Sequence, residues 1–243
     1  MDLVIDIGNT RAKTAVFASK ECLEVKAHEP HHLVTGVREI LRAFKLIDRA
    51  IISTVGDEPD GLVEVLDALK EVIWVDEHTQ LMFDNAYQTK ETLGADRKAL
   101  MAAAHRNYPS KNVLVIDLGS CITYDVLESG KRYVGGAISP GWRMRVEAMH
   151  EFTSKLPSLQ PSEPMTVLGD TTASCMQIGA YNGVLGELQE LIRAYRKRFE
   201  DLTVILTGGD AEIFGKRLKN CIFAHSNFLL EGLHELLEYN SIR

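Results

Sequence analysis

The pattern of hydrophobic and polar positions predicts two β-hairpins built in the same way. Residues 3–5 and 113–116 are continuous apolar runs rich in β-branched side chains, which is typical of buried strands. Each run leads to an aspartate, Asp6 or Asp117, then to a glycine-containing turn and a second strand of alternating character. Each hairpin is therefore expected to present a carboxylate beside its turn.

The repeat of this pattern bears on the organisation of the chain. Asp6 and Asp117 are 111 residues apart. Solenoid repeats have periods of roughly 20–50 residues, so this spacing indicates two similar half-domains instead.

The remaining periodicity predicts strands that alternate with helices, and hence an α/β fold. Further strands are predicted at residues 22–28, 49–55, 73–75, 133–138, 202–207 and 221–225. Helices are predicted at residues 32–44, 61–72, 98–106, 142–149, 173–195 (interrupted by glycines), 213–218 and 229–239. Residues 76–93 form a long polar connection, and such connections are usually functional or disordered.

Composition narrows the class of protein. The 243 residues are 45% hydrophobic and 25% charged, which is ordinary for a globular chain. A formal charge of −7 argues against a nucleic-acid partner, which would favour a basic surface. No apolar run approaches the roughly 20 residues that span a bilayer, and Met1 is followed at once by an acidic residue, so we expect a cytoplasmic protein without a membrane partner.

The four cysteines are scattered without a Cys-x-x-Cys pair, so neither a zinc site nor a disulfide framework is indicated. The two hairpins carry the chemistry instead. Exposed backbone N–H groups at a turn suit phosphate oxygens, and a carboxylate can hold the cation that neutralises them. Two such hairpins facing each other across a cleft would grip a nucleotide tail. No P-loop or Rossmann fingerprint is present.

A third candidate lies at residues 94–97, just before a predicted helix. Asp96 falls in the first helical turn, where the helix dipole favours a carboxylate. Helix capping would explain Asp96 by itself, but capping is compatible with a catalytic role.

Together these segments resemble the acetate and sugar kinase/Hsp70/actin superfamily, and most closely its type III pantothenate kinases. The resemblance rests on the ordered set of motifs at residues 6–13, 94–97, 117–120, 135–141, 207–211 and 228–233. Each motif is weak alone, but their order is that of the family and they span nearly the whole chain.

The resemblance implies two duplicated ribonuclease-H-like (actin-like ATPase) half-domains with an interlobe cleft. We place these halves at residues 1–93 and 94–243, with helix 96–106 bridging them. It also implies ATP-dependent phosphorylation of pantothenate to 4′-phosphopantothenate, the first step of coenzyme A synthesis, by a homodimer.

The resemblance further assigns residues to roles. The ATP-binding set is Asp6, Ile7, Gly8, Asn9, Thr10, Arg11, Ala12, Lys13 and Ser120. The pantothenate-binding set is Tyr87, Gly94, Ala95, Asp96, Arg97 and Thr172, with Asp96 as the catalytic base. Asp117 matches the ligand of an activating monovalent cation, K⁺ or NH₄⁺, and Mg²⁺ accompanies ATP.

Two positions depart from the family pattern: Ser120 replaces a threonine and keeps its hydroxyl, and Leu118 replaces an alanine. The role of Arg97 is open, because its planar fork suits either the pantothenate carboxylate or the transferred phosphoryl group. Two other functions are alternatives: another small-molecule kinase or phosphohydrolase of the superfamily, and a nucleotide-binding regulator without catalysis. The presence of Tyr87 and Thr172 argues against the first, and three intact aspartates argue against the second.

Overall fold

The computed structural model describes residues 1–56, 58–223 and 227–241. The strands of this part of the chain are β1 (Asp2–Ile7), β2 (Ala12–Ala18), β3 (Glu21–His28), β4 (Arg49–Thr54), β5 (Glu71–Trp74), β6 (Asp84–Asn85), β7 (Val113–Leu118), β8 (Cys121–Glu128), β9 (Arg132–Pro140), β10 (Thr203–Thr207) and β11 (Ile222–Phe223). Its α-helices are α1 (Leu33–Ala43), α2 (Leu62–Leu66), α3 (Ala95–Asn107), α4 (Trp142–Glu151), α5 (Thr172–Arg198), α6 (Ala211–Gly215) and α7 (Phe228–Asn240).

The two sheets repeat one strand order. The first sheet runs β3-β2-β1-β4-β5, and the second runs β9-β8-β7-β10-β11 with β6 added beside β9. In each sheet the two strands of the hairpin are antiparallel, β1 with β2 and β7 with β8. The first strand of each hairpin also pairs in parallel with a later strand, β1 with β4 and β7 with β10. The predicted α/β class and internal repeat are therefore confirmed.

The chain forms two compact units. Among the described residues, the first comprises those within 1–110, 130–134 and 227–241, and the second comprises those within 111–129 and 135–223. Strand β9 starts in the first unit and continues into the second. The boundary that we placed after residue 93 concerns the two duplicated halves, and it stays a prediction.

Helix α3 carries the candidate residues 94–97 and is almost wholly buried in the first unit. Ala99, Ala102 and Ala103 are fully buried in it. Helix α7 packs closely here, since a Cβ on Gly232 would lie 1.9 Å from the carbonyl oxygen of Ala99. The C-terminal motif at residues 228–233 thus serves to seat α3.

The structure corrects two predicted helices. The helix predicted at residues 61–72 ends at Leu66, because Val72 is needed in β5, which pairs in parallel with β4. The glycines of residues 173–195 do not interrupt α5, since Val184, Leu188 and Ile192 bury one continuous face of it. The predicted strand at residues 221–225 is present at Ile222–Phe223, and its last two residues lie outside the described part of the chain.

Within the described ranges, no helix is both long enough and apolar enough to cross a bilayer. All four cysteines are free thiols.

Candidate functional site

Asp6 lies one residue before the end of β1, at the mouth of the first hairpin. Its neighbours in register are Lys13 on β2 and Ser53 on β4. The turn between the strands is closed by the Gly8 N–H, which donates to the Arg11 carbonyl at 3.1 Å. Asn9, Thr10 and Arg11 are exposed at this turn, whereas the side chains of Ile7 and Ala12 are buried in the core. Ile7 and Ala12 would therefore contact a ligand through their backbone atoms.

The Asp6 carboxylate is held in an unfavourable environment for its charge. Burial and the nearby negative charge of Asp96 raise the pKa of Asp6 from 3.8 to about 6. Ser53 and Lys13 lower it in part. Two carboxylates that repel each other in a partly buried setting fit a bound cation, which would remove the repulsion.

Asp96 lies in the first turn of α3, as predicted, and the backbone N–H of the next residue orients its carboxylate. Its Oδ1 accepts a hydrogen bond from the Arg97 N–H at 2.8 Å. Gly94 makes this geometry possible, because a Cβ at that position would lie 2.5 Å from the same oxygen. Positive helix-dipole charge and the absence of a side chain at residue 94 together favour a carboxylate here.

Tyr87 is brought to the same unit by the connection between β5 and α3. The short strand β6 pairs with β9, and the side chain of Asn85 accepts the Tyr87 N–H at 3.0 Å. The guanidinium carbon of Arg97 lies 5.5 Å from the centre of the Tyr87 ring. Tyr87, Asp96 and Arg97 of the predicted substrate set thus belong to one unit with Asp6, and Tyr87 contacts Arg97.

Asp117 occupies in β7 the position that Asp6 occupies in β1. Both strands show the same burial, with the aspartate partly accessible between buried neighbours. The register partners of Asp117 are Thr123 on β8 and Thr207 on β10. Ser120 is exposed at the turn that follows.

Two glycine turns pack against this second hairpin. A Cβ on Gly208 would lie 2.4 Å from Asp117 Oδ1, and a Cβ on Gly141 would lie 2.3 Å from the Gly119 carbonyl oxygen. The Gly141 N–H donates to the Ser120 carbonyl at 3.0 Å. Bare backbone at both positions therefore lets the motif at residues 207–211 approach Asp117 and the motif at residues 135–141 approach the turn at Gly119 and Ser120.

Thr172 begins helix α5, in the second unit, and is exposed. The preceding Thr171 caps the helix, since its side chain accepts the Ser174 N–H at 3.1 Å and the Ser174 hydroxyl accepts the Thr171 N–H at 3.0 Å. The capping box of Thr171 and Ser174 thus fixes the start of α5, where Thr172 lies.

One residue beside Arg97 was not among the predicted site residues. Tyr133, at the start of β9, is fully buried, and its ring centre lies 5.9 Å from the Arg97 guanidinium carbon. It was expected only as a strand residue. Its one signal in the sequence is that an aromatic residue stands two positions before the Gly135-Gly136 pair.

Solved structures share this fold at low sequence identity. A Campylobacter jejuni structure described as that of a Baf family transcriptional activator superposes with a TM-score of 0.62, at 18% identity over 98% of both chains. ADP-bound MreB5 of Spiroplasma citri superposes with a TM-score of 0.51, at 9% identity over 98% of this chain and 96% of that one. At these identities the likeness shows the fold alone.

Sequence relatives are much closer. The family model for type III pantothenate kinase matches residues 2–194. The type III pantothenate kinase of Christiangramia forsetii is 45% identical over 99% of both chains, and that of Bacteroides fragilis is 39% identical over the full length of both. The resemblance drawn from the motifs is confirmed, and the chain belongs to the type III pantothenate kinase family.

Proposed function

We propose that Asp96 is the general base of this enzyme and that the two aspartate hairpins bind its nucleotide and cations. As a member of its family, the chain transfers a phosphoryl group from ATP to pantothenate, the first step of coenzyme A synthesis. The assignment of the reaction rests on family membership over nearly the whole chain. The roles proposed for Asp96 and Asp6 are supported by the oriented Asp96 carboxylate and by its proximity to Asp6.

Phosphoryl transfer requires positioning and neutralisation of charge more than covalent catalysis. Asp96 takes the proton of the primary hydroxyl of pantothenate as that oxygen attacks the γ-phosphorus of ATP. The bond between this phosphorus and the bridging oxygen breaks, and ADP leaves. Its bond to the Arg97 N–H keeps one carboxylate oxygen occupied and the group oriented. Arg97 offsets negative charge on the bound substrates, and Gly94 and Ala95 bring their backbone to pantothenate. Tyr87 and Thr172 add further substrate contacts.

The first hairpin binds the phosphates of ATP through the residues from Asp6 to Lys13, and Ser120 contributes its hydroxyl from the second. Mg²⁺ that enters with ATP neutralises phosphate charge when bound, and the raised pKa of Asp6 fits such a neighbour. Asp6 holds this cation near the phosphates, and Lys13, its register partner, adds positive charge. The reaction belongs to the cytoplasm, where free thiols such as the four of this chain are usual.

Asp117 binds the activating monovalent cation, K⁺ or NH₄⁺. We expect Asp117→Asn to need about tenfold more potassium for half-maximal rate, equivalent to the loss of ~1.4 kcal/mol of binding free energy. The rate would be measured over a potassium titration at saturating substrates. Asp201→Asn, the same change at an exposed position of the same unit, serves as the control. An unchanged potassium response in Asp117→Asn would place the cation elsewhere.

The functional molecule is a homodimer. An irregular segment of the second unit exposes large apolar side chains: Phe152, Met165, Val167 and Leu168 are 84–100% exposed. Contact with a second copy would remove these apolar side chains from water. Sedimentation equilibrium should give twice the chain mass of 27.1 kDa, and Val167→Glu with Leu168→Glu should shift it towards the monomer. A wild-type protein that stays at 27.1 kDa at micromolar concentration would refute the dimer.

The activity is tested by ADP release from purified protein with ATP, Mg²⁺ and pantothenate, with and without potassium. Pantothenate-dependent ADP formation, stimulated by potassium, is expected. Turnover of other small hydroxy acids in preference to pantothenate would favour a different kinase of the superfamily. ATP binding without turnover on any such substrate would favour a nucleotide-binding regulator.

A further inference from the structure

Three side chains of the first unit form one compact cluster: Tyr87, Arg97 and Tyr133. The Arg97 guanidinium carbon lies 5.5 Å from the ring centre of Tyr87 and 5.9 Å from that of Tyr133. The two ring centres are 5.9 Å apart, with an angle of 34° between the ring planes. Each member therefore contacts both others.

Tyr133 is the anchored member of this cluster. It is fully buried, and Arg97 is only 5% exposed, whereas Tyr87 is partly accessible. Its backbone also fixes the segment that carries Tyr87, because the Tyr133 carbonyl accepts the Ala86 N–H at 2.9 Å and Asn85 pairs with it in register. The strand that bears Tyr133 thus sets the position of Tyr87, and its ring contacts Arg97 directly.

Such an arrangement has a definite effect on an arginine. A guanidinium within about 6 Å of a tyrosine ring is attracted by the negative ring face, and more so when water is excluded. A free arginine side chain loses much rotamer freedom when it binds an anion, and ordering it beforehand removes that cost. Two rings in contact with Arg97 restrict its guanidinium before substrate arrives.

We propose that Tyr133 is a positioning residue for pantothenate binding, acting through Arg97. Its ring holds the Arg97 guanidinium in place, so that the arginine receives the carboxylate of pantothenate already ordered. This inference rests on the proposed function and chooses the carboxylate as the group that Arg97 contacts. Tyr133 itself touches neither substrate nor nucleotide in this role.

The first test separates binding from turnover. We expect Tyr133→Leu to raise the KM for pantothenate about tenfold, while kcat and the KM for ATP change less than threefold. Tyr133→Phe, which keeps the ring, should stay within threefold in all three constants. In an Arg97→Lys background the effect of Tyr133→Leu should largely vanish, since the planar partner is gone. Equal changes in both KM values, or full additivity with Arg97→Lys, would overturn the proposal.

A second test covers the case in which Tyr133→Leu fails to fold. Phenylalanines carrying one, two or three ring fluorines are incorporated at position 133. Each fluorine reduces the negative electrostatic potential of the ring face and changes the shape of the side chain very little. The KM for pantothenate should rise with each fluorine while the melting temperature stays constant. Normal turnover with a KM indifferent to fluorination would overturn the role of Tyr133 alone. Absence of pantothenate turnover in the unmodified chain would instead overturn the proposed function.

Discussion

Asp96→Asn is expected to lower kcat for pantothenate phosphorylation by about 10²–10⁴-fold, the usual effect of losing a positioned general base. The asparagine oxygen can still accept the Arg97 N–H bond that Asp96 Oδ1 accepts at 2.8 Å, so the start of α3 should keep its geometry. Helix α3 is seated by α7 through Gly232 and not through Asp96, so the fold should survive. The rate is measured by ADP release at saturating ATP and pantothenate.

Two measurements make this result specific to Asp96 as a base. ATP affinity, followed by calorimetry, should stay within a few-fold of wild type, because the proposed nucleotide contacts lie on the hairpins. Asp67→Asn, an identical change at the exposed end of α2, should leave kcat unchanged. A kcat within twofold of wild type in Asp96→Asn would remove Asp96 from the role of base.

The hairpins could be predicted because their signals are local. The signal has three parts in a row: an apolar β-branched run that ends in Asp, a turn with glycine, and a segment of alternating apolar and polar residues. Together they specify strand, turn and strand within about 15 positions. The repeat of that signal at Asp6 and Asp117 also predicted the duplication, which the structure shows in two sheets of the same strand order. The first turn of α3 was predictable for the same reason, since Gly94 and Asp96 are neighbours in sequence.

What the sequence did not predict depends on distant partners. Residues 67–72 continue a helical spacing, yet the N–H groups of Lys70 and Glu71 donate to the Asp48 carbonyl and bring β5 alongside β4. Sheet pairing outweighs local propensity there. The contact of Tyr133 with Arg97 joins residues 36 positions apart in the chain, and no periodicity encodes it.

Asp6→Asn should abolish most activity and yet stabilise the protein. In the proposed role, the Asp6 carboxylate holds the cation that neutralises the reacting phosphates. Its loss is expected to lower kcat/KM by roughly 10²–10³-fold. The pKa of Asp6 is raised by burial and by Asp96 from 3.8 to about 6, so the folded chain binds that proton more tightly than the unfolded chain. The stability that this provides is complete below pH 3.8 and is lost as the pH rises through 6.

At pH 7.5 the ionised Asp6 therefore costs folding free energy, and asparagine removes the cost. One pKa unit corresponds to ~1.4 kcal/mol, and partial solvent access to Asp6 reduces the effect, so we expect a gain of about 1–3 kcal/mol. Urea unfolding of ligand-free protein at pH 7.5 and pH 4 measures it, and the difference between variant and wild type should nearly vanish at pH 4. A variant less stable than wild type at pH 7.5 would contradict this account.

Asp2, on the same strand, provides a control of opposite sign. Burial raises its pKa, but hydrogen bonds from His234 and Arg49 outweigh burial and lower it from 3.8 to about 2. Arg49 Nε and Nη2 each lie 2.8 Å from a carboxylate oxygen of Asp2. Its stabilisation is present above pH 3.8 and is lost only as the pH falls through 2, so Asp2→Asn should destabilise the protein at pH 7.5. The same substitution, Asp to Asn, should therefore change the free energy of unfolding in opposite directions at these two positions of β1. This result is expected if Asp6 serves the chemistry at a cost in stability and Asp2 serves the fold.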